Sequence, residues 1–220
     1  MKDARRQTIV DLSHPLGPQT AAFPGDPPPA IQILDTATNP TSDQKRHMNC
    51  SAIATSLHCG THMDAPFHFF PDGRRIDQVP LDRCVGPTLL VRLPFETHAS
   101  IGREHLEPYE SQLREARRIV INTRWHHRWG AADYFTQHPV ITEAAARFLV
   151  ECGTLLVGVD IPSVDRAPYA AHLELLGNDV LIVENLTNLD AVVGDVFHLI
   201  ATPLAISGRD GSPVRAVAVT

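Results

Sequence analysis

The sequence predicts a mixed α/β fold with a mixed sheet at its core, and three observations support this class. Short runs rich in Val, Ile and Leu recur along the chain between Gly, Pro, Asn or Asp residues, which is typical of strands. One run, residues 155–160, is apolar at nearly every position, as expected of a strand covered on both faces. Segments with helical periodicity are fewer, so a layered fold with more strands than helices is expected.

The predicted strands, in chain order, cover residues 8–12, 51–56, 87–93, 118–122, 155–160, 180–183, 196–200 and 214–219. Between the first two strands, residues 15–29 hold six prolines, which lack a backbone donor and resist regular structure. We therefore expect an irregular arm there, able to lie across the domain or to reach a neighbouring subunit.

Helices are predicted over residues 103–116, 142–153 and 170–176. Thr142 is a suitable N-cap for the second of them, which should end near Gly153. The chain has 220 residues, of which 43% are hydrophobic, and this is enough to bury one substantial core. A single domain spanning residues 1–220 is therefore predicted.

The composition argues against several classes of protein. A net charge of −6, with scattered arginines and lysines, lacks the concentrated basic face that a nucleic-acid partner needs. No apolar run approaches the ~18 residues of a membrane-spanning helix, and no apolar run of a secretory signal follows the charged first residues. The four cysteines form no C-x-x-C pair. We expect a cytoplasmic protein with reduced thiols, no membrane and no nucleic-acid partner.

Several of the twelve histidines cluster in one short run, His58-Cys-Gly-Thr-His62-Met-Asp64-Ala-Pro-Phe-His68. Pro66 makes a continuous helix improbable through this run. In an extended chain, residues separated by even numbers point the same way, so one extended or gently bent segment would aim all four of these side chains into one pocket. Imidazoles and a carboxylate are ligands suited to zinc and manganese. A single histidine is more often an ordinary core or surface residue, but four candidate ligands on one face favour a metal site.

The histidine run resembles the signature of the cyclase family, in particular its bacterial kynurenine formamidase branch. The pattern is His-x-Gly-Thr-His-x-Asp-x-Pro-x-His, which is specific. Nearly the whole chain follows the family's order of segments, with further similarity at residues 9–16, 23–26, 76–81, 157–165 and 212–216. The resemblance implies a compact swivelling β/β/α domain and a metal-dependent amidohydrolase acting on a small, aromatic substrate such as N-formylkynurenine. It also implies a homodimer or a higher homo-oligomer.

The same resemblance implies a centre of two divalent metal ions, zinc or manganese, with five protein ligands. His58 and His62 would hold the first ion and Asp64 would bridge both. The remaining ligands would be His172 and Glu184, which are separated by twelve residues as in the family. A buried carboxylate such as Glu184 needs a partner, and an arginine is the alternative to a metal.

His68 is the implied general acid/base, and an unperturbed imidazole pKa around 6.5 suits a residue that accepts a proton from a metal-activated water and delivers it to the leaving nitrogen. Direct metal ligation by His68 is the competing assignment.

Phe23 lies where the formamidases carry a tryptophan that contacts the aromatic substrate. Phenylalanine keeps a stacking surface and loses the indole N–H, so the reaction class stays and the substrate becomes open. The alternatives are a cyclic amide such as isatin, a lactone or another small carbonyl compound, or a metal-binding relative without catalysis.

Other polar residues remain open at this stage. Asp160 and Asp165 follow a buried strand, where they would orient a ligand histidine or form a turn or cap. Cys59 faces away from His58 in an extended chain, so a buried structural thiol is expected rather than a nucleophile. Residues 125–129, Trp-His-His-Arg-Trp, match no motif and are interpreted as a loop that could line the substrate entrance, without ligands at His126 or His127.

Overall fold

The computed structural model describes residues 8–36 and 48–220. The first residues of the chain, on which the expectation about a secretory signal rests, lie outside this part. Within it, the strands are β1 (Ile9–Asp11), β2 (Ala30–Asp35), β3 (Cys50–Ala54), β4 (His62–Asp64), β5 (Val85–Arg92), β6 (Ser100–Ile101), β7 (Arg118–Asn122), β8 (Val140–Ile141), β9 (Leu156–Val159), β10 (Leu181–Glu184), β11 (Val196–Ile200), β12 (Gly211–Pro213) and β13 (Val217–Val219).

The α-helices of the described residues are short. They are α1 (Leu81–Cys84), α2 (Arg103–Leu106), α3 (Glu110–Ala116), α4 (Glu143–Glu151) and α5 (Ala170–Gly177). Single 3₁₀ turns occur at Pro66–His68, Ile76–Gln78, Glu107–Tyr109, Trp125–Arg128 and Leu189–Ala191. No helix among the described residues has the length and apolar character needed to cross a membrane.

A nine-stranded mixed sheet organises the fold, in the order β1-β13-β11-β5-β7-β9-β10-β4-β12. The four central strands β5, β7, β9 and β10 are parallel, and the strands on either side of them are antiparallel. The sheet curls so strongly that Leu12, beyond β1, accepts a hydrogen bond from the backbone N–H of Thr187, beyond β10. This confirms the predicted mixed α/β class.

Both faces of the central strands are buried. In β7, Ile119 and Ile121 contribute to the core under the helices, while Val120 between them faces the core on the other side. Val157 and Leu156 of β9 divide in the same way. Strands covered on both faces lose the period-two alternation of polar residues, which is why this part of the sequence is continuously apolar.

The structure differs from the prediction at two elements for local reasons. The helix predicted over residues 103–116 is split into α2, a 3₁₀ turn and α3, because Pro108 provides no backbone N–H for a continuous helix. The hairpin of β2 and β3 extends the irregular arm, and β2 was not predicted. All but its last residue are exposed, so burial leaves no alternating pattern in its sequence.

The histidine run also differs from the single extended segment that was predicted. Only His62–Asp64 is a strand, Gly60 has a left-handed φ of +69°, and His68 ends the 3₁₀ turn that Pro66 begins. The even spacing therefore explains only why His62 and Asp64 face the same side of β4. Tertiary packing brings the other two histidines to that side.

Gly158 lies in the middle of β9, where an added Cβ would come within 2.9 Å of Leu186 Cδ1 and Val120 Cγ2. We expect Gly158→Ala to lower the free energy of unfolding by about 1–3 kcal/mol, the usual cost of overpacking a core. Thermal unfolding should show a fall of about 2–4 °C per kcal/mol. Gly17→Ala, with no atom within 4 Å of the new methyl group, is the control. Equal stability of the two variants would contradict this packing.

Candidate metal centre

Strand β4 is placed at the centre of the candidate site by its two neighbours. It pairs with β10 on one side and with β12 on the other, and both pairs are antiparallel. In this register His62 lies opposite Glu184, and Asp64 lies opposite Ile182. His62, Asp64 and Glu184 are all buried. Two carboxylates and an imidazole therefore meet in the interior at the end of a central strand.

The distances within this group fit a metal ion. Nε2 of His62 lies 3.4 Å from Oδ1 of Asp64 and 3.4 Å from Oε2 of Glu184. Zinc–nitrogen and zinc–oxygen bonds of about 2.0–2.2 Å at tetrahedral angles place two ligands about 3.4 Å apart. Nδ1 of His62 lies 2.9 Å from the carbonyl oxygen of Gly60, so its Nε2 is the nitrogen that faces the carboxylates. The donors present fit a zinc or manganese ion.

His172 reaches the same carboxylates from α5. Its Nε2 lies 3.5 Å from Oε1 of Glu184 and 3.8 Å from Oδ2 of Asp64. Asp64 and Glu184 each present one oxygen to His62 and the other to His172. This arrangement gives two donor sets that share two carboxylates. The residues present could therefore hold a metal ion between them.

Electrostatics support the same conclusion. Burial opposes protonation of His172, but the hydrogen bonds to Asp165 and Glu184 and the charges of Glu184 and Asp64 raise its pKa to about 10. Burial likewise opposes protonation of His62, yet the hydrogen bonds and charges of Asp64 and Glu184 raise its pKa well above the usual value. Two buried carboxylates thus demand positive charge at the site, which divalent cations supply in place of these protons.

Asp165 fixes His172 in place. Its Oδ1 lies 2.6 Å from Nδ1 of His172, and its Oδ2 accepts the backbone N–H groups of Ala171 and His172 at the start of α5. The two roles left open in the sequence, orienting a histidine and capping a helix, are therefore both present. Asp160 instead contacts His126.

We expect Asp165→Asn to weaken metal binding roughly 10–100-fold, as loss of a carboxylate behind a ligand histidine generally does. The amide keeps an oxygen for the helix N–H groups, so unfolding should change little. Equilibrium dialysis against zinc measures the affinity, and Asp133→Asn, which removes an exposed carboxylate paired with Arg128, is the matched control. Wild-type affinity in Asp165→Asn would contradict this role.

His58 lies beside Asp64 on the solvent side of the group. Its Nδ1 is 2.7 Å from Oδ1 of Asp64, and its Nε2 is 2.5 Å from Oδ2 of Asp210. Burial disfavours the imidazolium, but the charge of Asp64 and the hydrogen bonds to Asp210 and Asp64 raise the pKa of His58 to about 9. Ligation by His58 thus requires one of these two contacts to open.

Asp210 was not predicted from the sequence. It lies two residues before the segment 212–216, which resembles the family, but its contact with His58 joins positions 152 residues apart and leaves no local pattern. The hydrogen bond with His58 lowers the pKa of Asp210 to about 2. Asp210 therefore holds a negative charge at the rim of the site.

His68 stacks on His58, with ring centroids 4.0 Å apart, and its Nδ1 lies 3.8 Å from Oδ2 of Asp210. Burial and the charges of His58 and His172 outweigh the attraction of Asp64 and lower the pKa of His68. Unlike His58, His62 and His172, it thus favours the neutral form, which is able to accept a proton. Among the described residues, two groups at this site have donor atoms close enough together to hold one ion. The first is His58, Asp64 and His68, and the second is His62, Asp64 and Glu184.

A cavity of about 390 Å³ opens onto these residues. Phe23, Phe69 and Tyr169 form aromatic parts of its wall, and Phe23 is 40% exposed. The structure thus brings together every site residue that the sequence predicted: His58, His62, Asp64, His68, His172, Glu184 and Phe23. A small, partly aromatic molecule would fit such a cavity.

Two alternatives from the sequence can now be addressed. Among the described residues, the hydrogen-bond and ion-pair partners of Glu184 are His62, His172 and the backbone of Val164, and none is an arginine. Cys59 is buried, and burial raises the pKa of its thiol, as expected of a structural cysteine.

Comparison with known proteins identifies the family of this chain. Residues 10–166 match the family model described as a putative cyclase. The chain belongs to this family. The kynurenine formamidase of Bacillus anthracis is 37% identical to this cyclase over 212 residues, which cover 94% of this chain and 95% of the relative. The kynurenine formamidase of Bacillus mycoides (strain KBAB4) has the same identity and coverage.

Solved structures share the fold of this cyclase over nearly its whole length. Isatin hydrolase A from Labrenzia aggregata, bound to benzyl benzoate, superposes with a TM-score of 0.83 and 26% identity, covering 97% of this chain and 94% of the other. A structure described as a potential metal-dependent hydrolase with cyclase activity gives a TM-score of 0.79 at 23% identity, covering 97% and 98%. The second likeness concerns the fold alone.

Proposed function

We propose that this cyclase is a metal-dependent hydrolase that cleaves the amide bond of a small aromatic formamide such as N-formylkynurenine. One observation carries the proposal: two buried carboxylates and two imidazoles converge at distances that suit metal ligands, on the floor of a cavity with an aromatic wall. The sequence relatives named as kynurenine formamidases and the structural relative named as an isatin hydrolase support a hydrolase acting on a small aromatic amide.

In this proposal, His58, His62, Asp64, His172 and Glu184 hold two divalent ions, zinc or alternatively manganese. Ions at that position would supply positive charge that polarises the substrate carbonyl and makes water easier to deprotonate. The two bridging carboxylates set the positions of both donor groups, and Asp165 fixes the ring of His172.

His68 is the proposed proton carrier. Its ring lies over His58 at the cavity wall, with about a third of the side chain exposed toward solvent. During hydrolysis a water oxygen bonds to the carbonyl carbon, the C–N bond breaks and one water proton ends on the leaving nitrogen. His68 would accept the proton from the water and return it to the nitrogen, because it is the imidazole at this wall that favours the neutral form.

A cyclic amide is the second candidate substrate. It is favoured by the similarity to isatin hydrolase A, which has 26% identity and a TM-score of 0.83 over 97% of this chain. Ring opening of isatin breaks the same kind of C–N bond, so the same residues would serve. The cavity wall, including Phe23, would then decide between the two substrates.

The test is a substrate panel with zinc-loaded and manganese-loaded protein. We expect fast hydrolysis of N-formylkynurenine, which is measured by the absorbance of the free arylamine. Ring opening of isatin without hydrolysis of N-formylkynurenine would select the second candidate. A metal-loaded protein that hydrolyses no amide, ester or lactone, and in which His68→Ala changes nothing, would indicate a metal-binding relative without catalysis.

Phe23→Ala should lower kcat/KM for N-formylkynurenine by about tenfold, because an aromatic contact contributes about 0.5–1.5 kcal/mol beyond its buried area. Steady-state kinetics measure the effect, and Phe23→Leu is the matched control, since it keeps apolar area and removes the ring. An unchanged kcat/KM in Phe23→Ala would show that the aromatic ring of the substrate binds elsewhere.

The remaining parts of the proposal concern the state of the protein. We propose a single domain over residues 1–220, a homodimer or higher homo-oligomer, and a cytoplasmic location. Elemental analysis of protein purified without chelators should find up to two transition-metal ions per chain. Metal-free protein that binds no zinc or manganese on dialysis would contradict the metal centre.

A further inference from the structure

A second group of potential metal ligands lies away from the cavity. His126 and His127 belong to the 3₁₀ turn Trp125–Arg128 after β7, and Asp190 belongs to the turn Leu189–Ala191 after β10. One ligand atom of each lies within 4.8 Å of those of the other two. None of the three lines the cavity of the proposed active site. Most of the segment 125–129, which was interpreted as a loop, thus forms the 3₁₀ turn Trp125–Arg128.

The geometry of this group resembles a prepared metal site. Nε2 of His127 lies 2.7 Å from Oδ2 of Asp190, and Nε2 of His126 lies 3.8 Å from the same oxygen. Both histidines thus turn the same ring nitrogen toward one carboxylate. Two imidazoles and a carboxylate are a ligand set used by zinc sites.

The side chains behind the ligands strengthen the case. Nδ1 of His126 lies 2.8 Å from Oδ2 of the fully buried Asp160, whose other oxygen accepts the N–H and the hydroxyl of Thr123. A carboxylate behind an imidazole fixes the ring and leaves the opposite nitrogen for a metal, as at most zinc-binding histidines. The amide of Asn122 donates to Oδ1 of Asp190 at 2.9 Å and orients that carboxylate in the same way.

A third imidazole lies in the neighbourhood. Burial and the electrostatic effect of His126 lower the pKa of His14 to about 4, so this ring is neutral near pH 7. Its Nε2 is buried and has no hydrogen-bond partner among the described residues. Buried nitrogens without a hydrogen-bond partner are uncommon in folded proteins, so each one requires a structural explanation.

We propose that His126, His127 and Asp190 form a second divalent-metal site, selective for borderline ions such as zinc, that joins the turn after β7 to the turn after β10. The proposal goes beyond the hydrolase function and does not depend on it. The positive charge of Arg124 opposes a cation at this site, since its Nε lies 3.9 Å from Oδ2 of Asp190. Its side chain is half exposed and can move into solvent.

The test is zinc binding by equilibrium dialysis with wild type, Asp190→Ala, His127→Ala and the control His98→Ala, which removes a partly buried histidine whose ring contacts that of His105. We expect Asp190→Ala and His127→Ala to lose one zinc equivalent per chain relative to wild type, and His98→Ala to lose none. Because Asp190 and His127 are about half exposed, both variants should fold. Arg124→Ala has the opposite expected effect, tighter zinc binding.

Equal zinc stoichiometry in wild type, Asp190→Ala and His127→Ala at the same free zinc would overturn the proposal. Loss of an equivalent in His98→Ala as well would also overturn it, because surface histidines in general would then account for the binding. The difference between variants is independent of how many ions the site at Asp64 holds, so failure of the hydrolase proposal would not imitate either result. A zinc-dependent rise in melting temperature that is present in wild type and absent in Asp190→Ala is the second expected readout.

Discussion

Asp64→Asn is expected to remove both metal binding and hydrolysis. Asp64 presents one carboxylate oxygen to His62 and His58 and the other to His172, so one substitution disturbs both donor sets at once. Losing a partner behind a ligand already weakens metal binding roughly 10–100-fold. Loss of the shared ligand itself should cost about 100-fold or more in zinc affinity, measured by competition with a chelator, and kcat should fall below detection.

The control for Asp64→Asn is Asp26→Asn, because Asp26 is another carboxylate of the same cavity and bonds to the hydroxyl of Ser56 rather than to a histidine. It should retain the metal content of wild type. If Asp64→Asn kept two ions per chain at wild-type affinity, Asp64 would not be the residue that links the two donor sets. Circular dichroism of the metal-free variants would confirm that both are folded.

His68→Ala is expected to lower kcat about 10²–10⁴-fold while the metal content stays that of wild type. The first number is the usual contribution of a positioned acid or base. The second follows from the proposed role of His68 as proton carrier, since its described ring contacts and ion pair are with His58, Phe69, His172 and Asp210. KM should change less than kcat, because the proton moves only as the reaction proceeds.

A lower kcat together with an unchanged metal content distinguishes the two roles left open for His68. A ligand would take metal with it when removed, and added zinc at high concentration would partly restore the rate. A proton carrier leaves occupancy intact, and added zinc restores nothing. Loss of one ion in His68→Ala would therefore reverse the assignment. His98→Ala, which removes a partly buried histidine outside the cavity lining, controls for general effects of removing an imidazole.

Much of the fold was predictable because buried elements produce apolar or alternating patterns in the sequence. Residues 118–122 and 196–200 were predicted as strands with the bounds that the structure shows, since both are continuous apolar or alternating runs between clear breaks. Helix α4 begins after Thr142, whose hydroxyl accepts from the N–H of Ala145 as predicted for an N-cap. The exposed strand β2 had no comparable pattern and was missed, whereas its partner β3 was predicted over residues 51–56.

The candidate site was predictable where the ligands lie close in sequence or match a known pattern. His172 and Glu184 were predicted from the resemblance. The pairing of β10 with β4 explains why Glu184 lies beside His62. Asp210 and the group around His126 were missed, since each depends on contacts between distant segments. The even spacing of the histidine run predicted that its four polar side chains lie together. It is an incomplete reason, because only two of the four residues are in a strand.

The position of β4 between β10 and β12 has a consequence for the order of folding. The histidine run belongs to the first third of the chain, yet the strands that hold it, together with Asp210, come from residues 181–184 and 210–213. Pairings between such distant segments are costly in chain entropy and form late. While the chain emerges from the ribosome, the histidine run thus lacks Glu184 and Asp210 until nearly all of the chain has been made. Metal capture should then report completion of the whole fold, and a shortened nascent chain should capture none at this site.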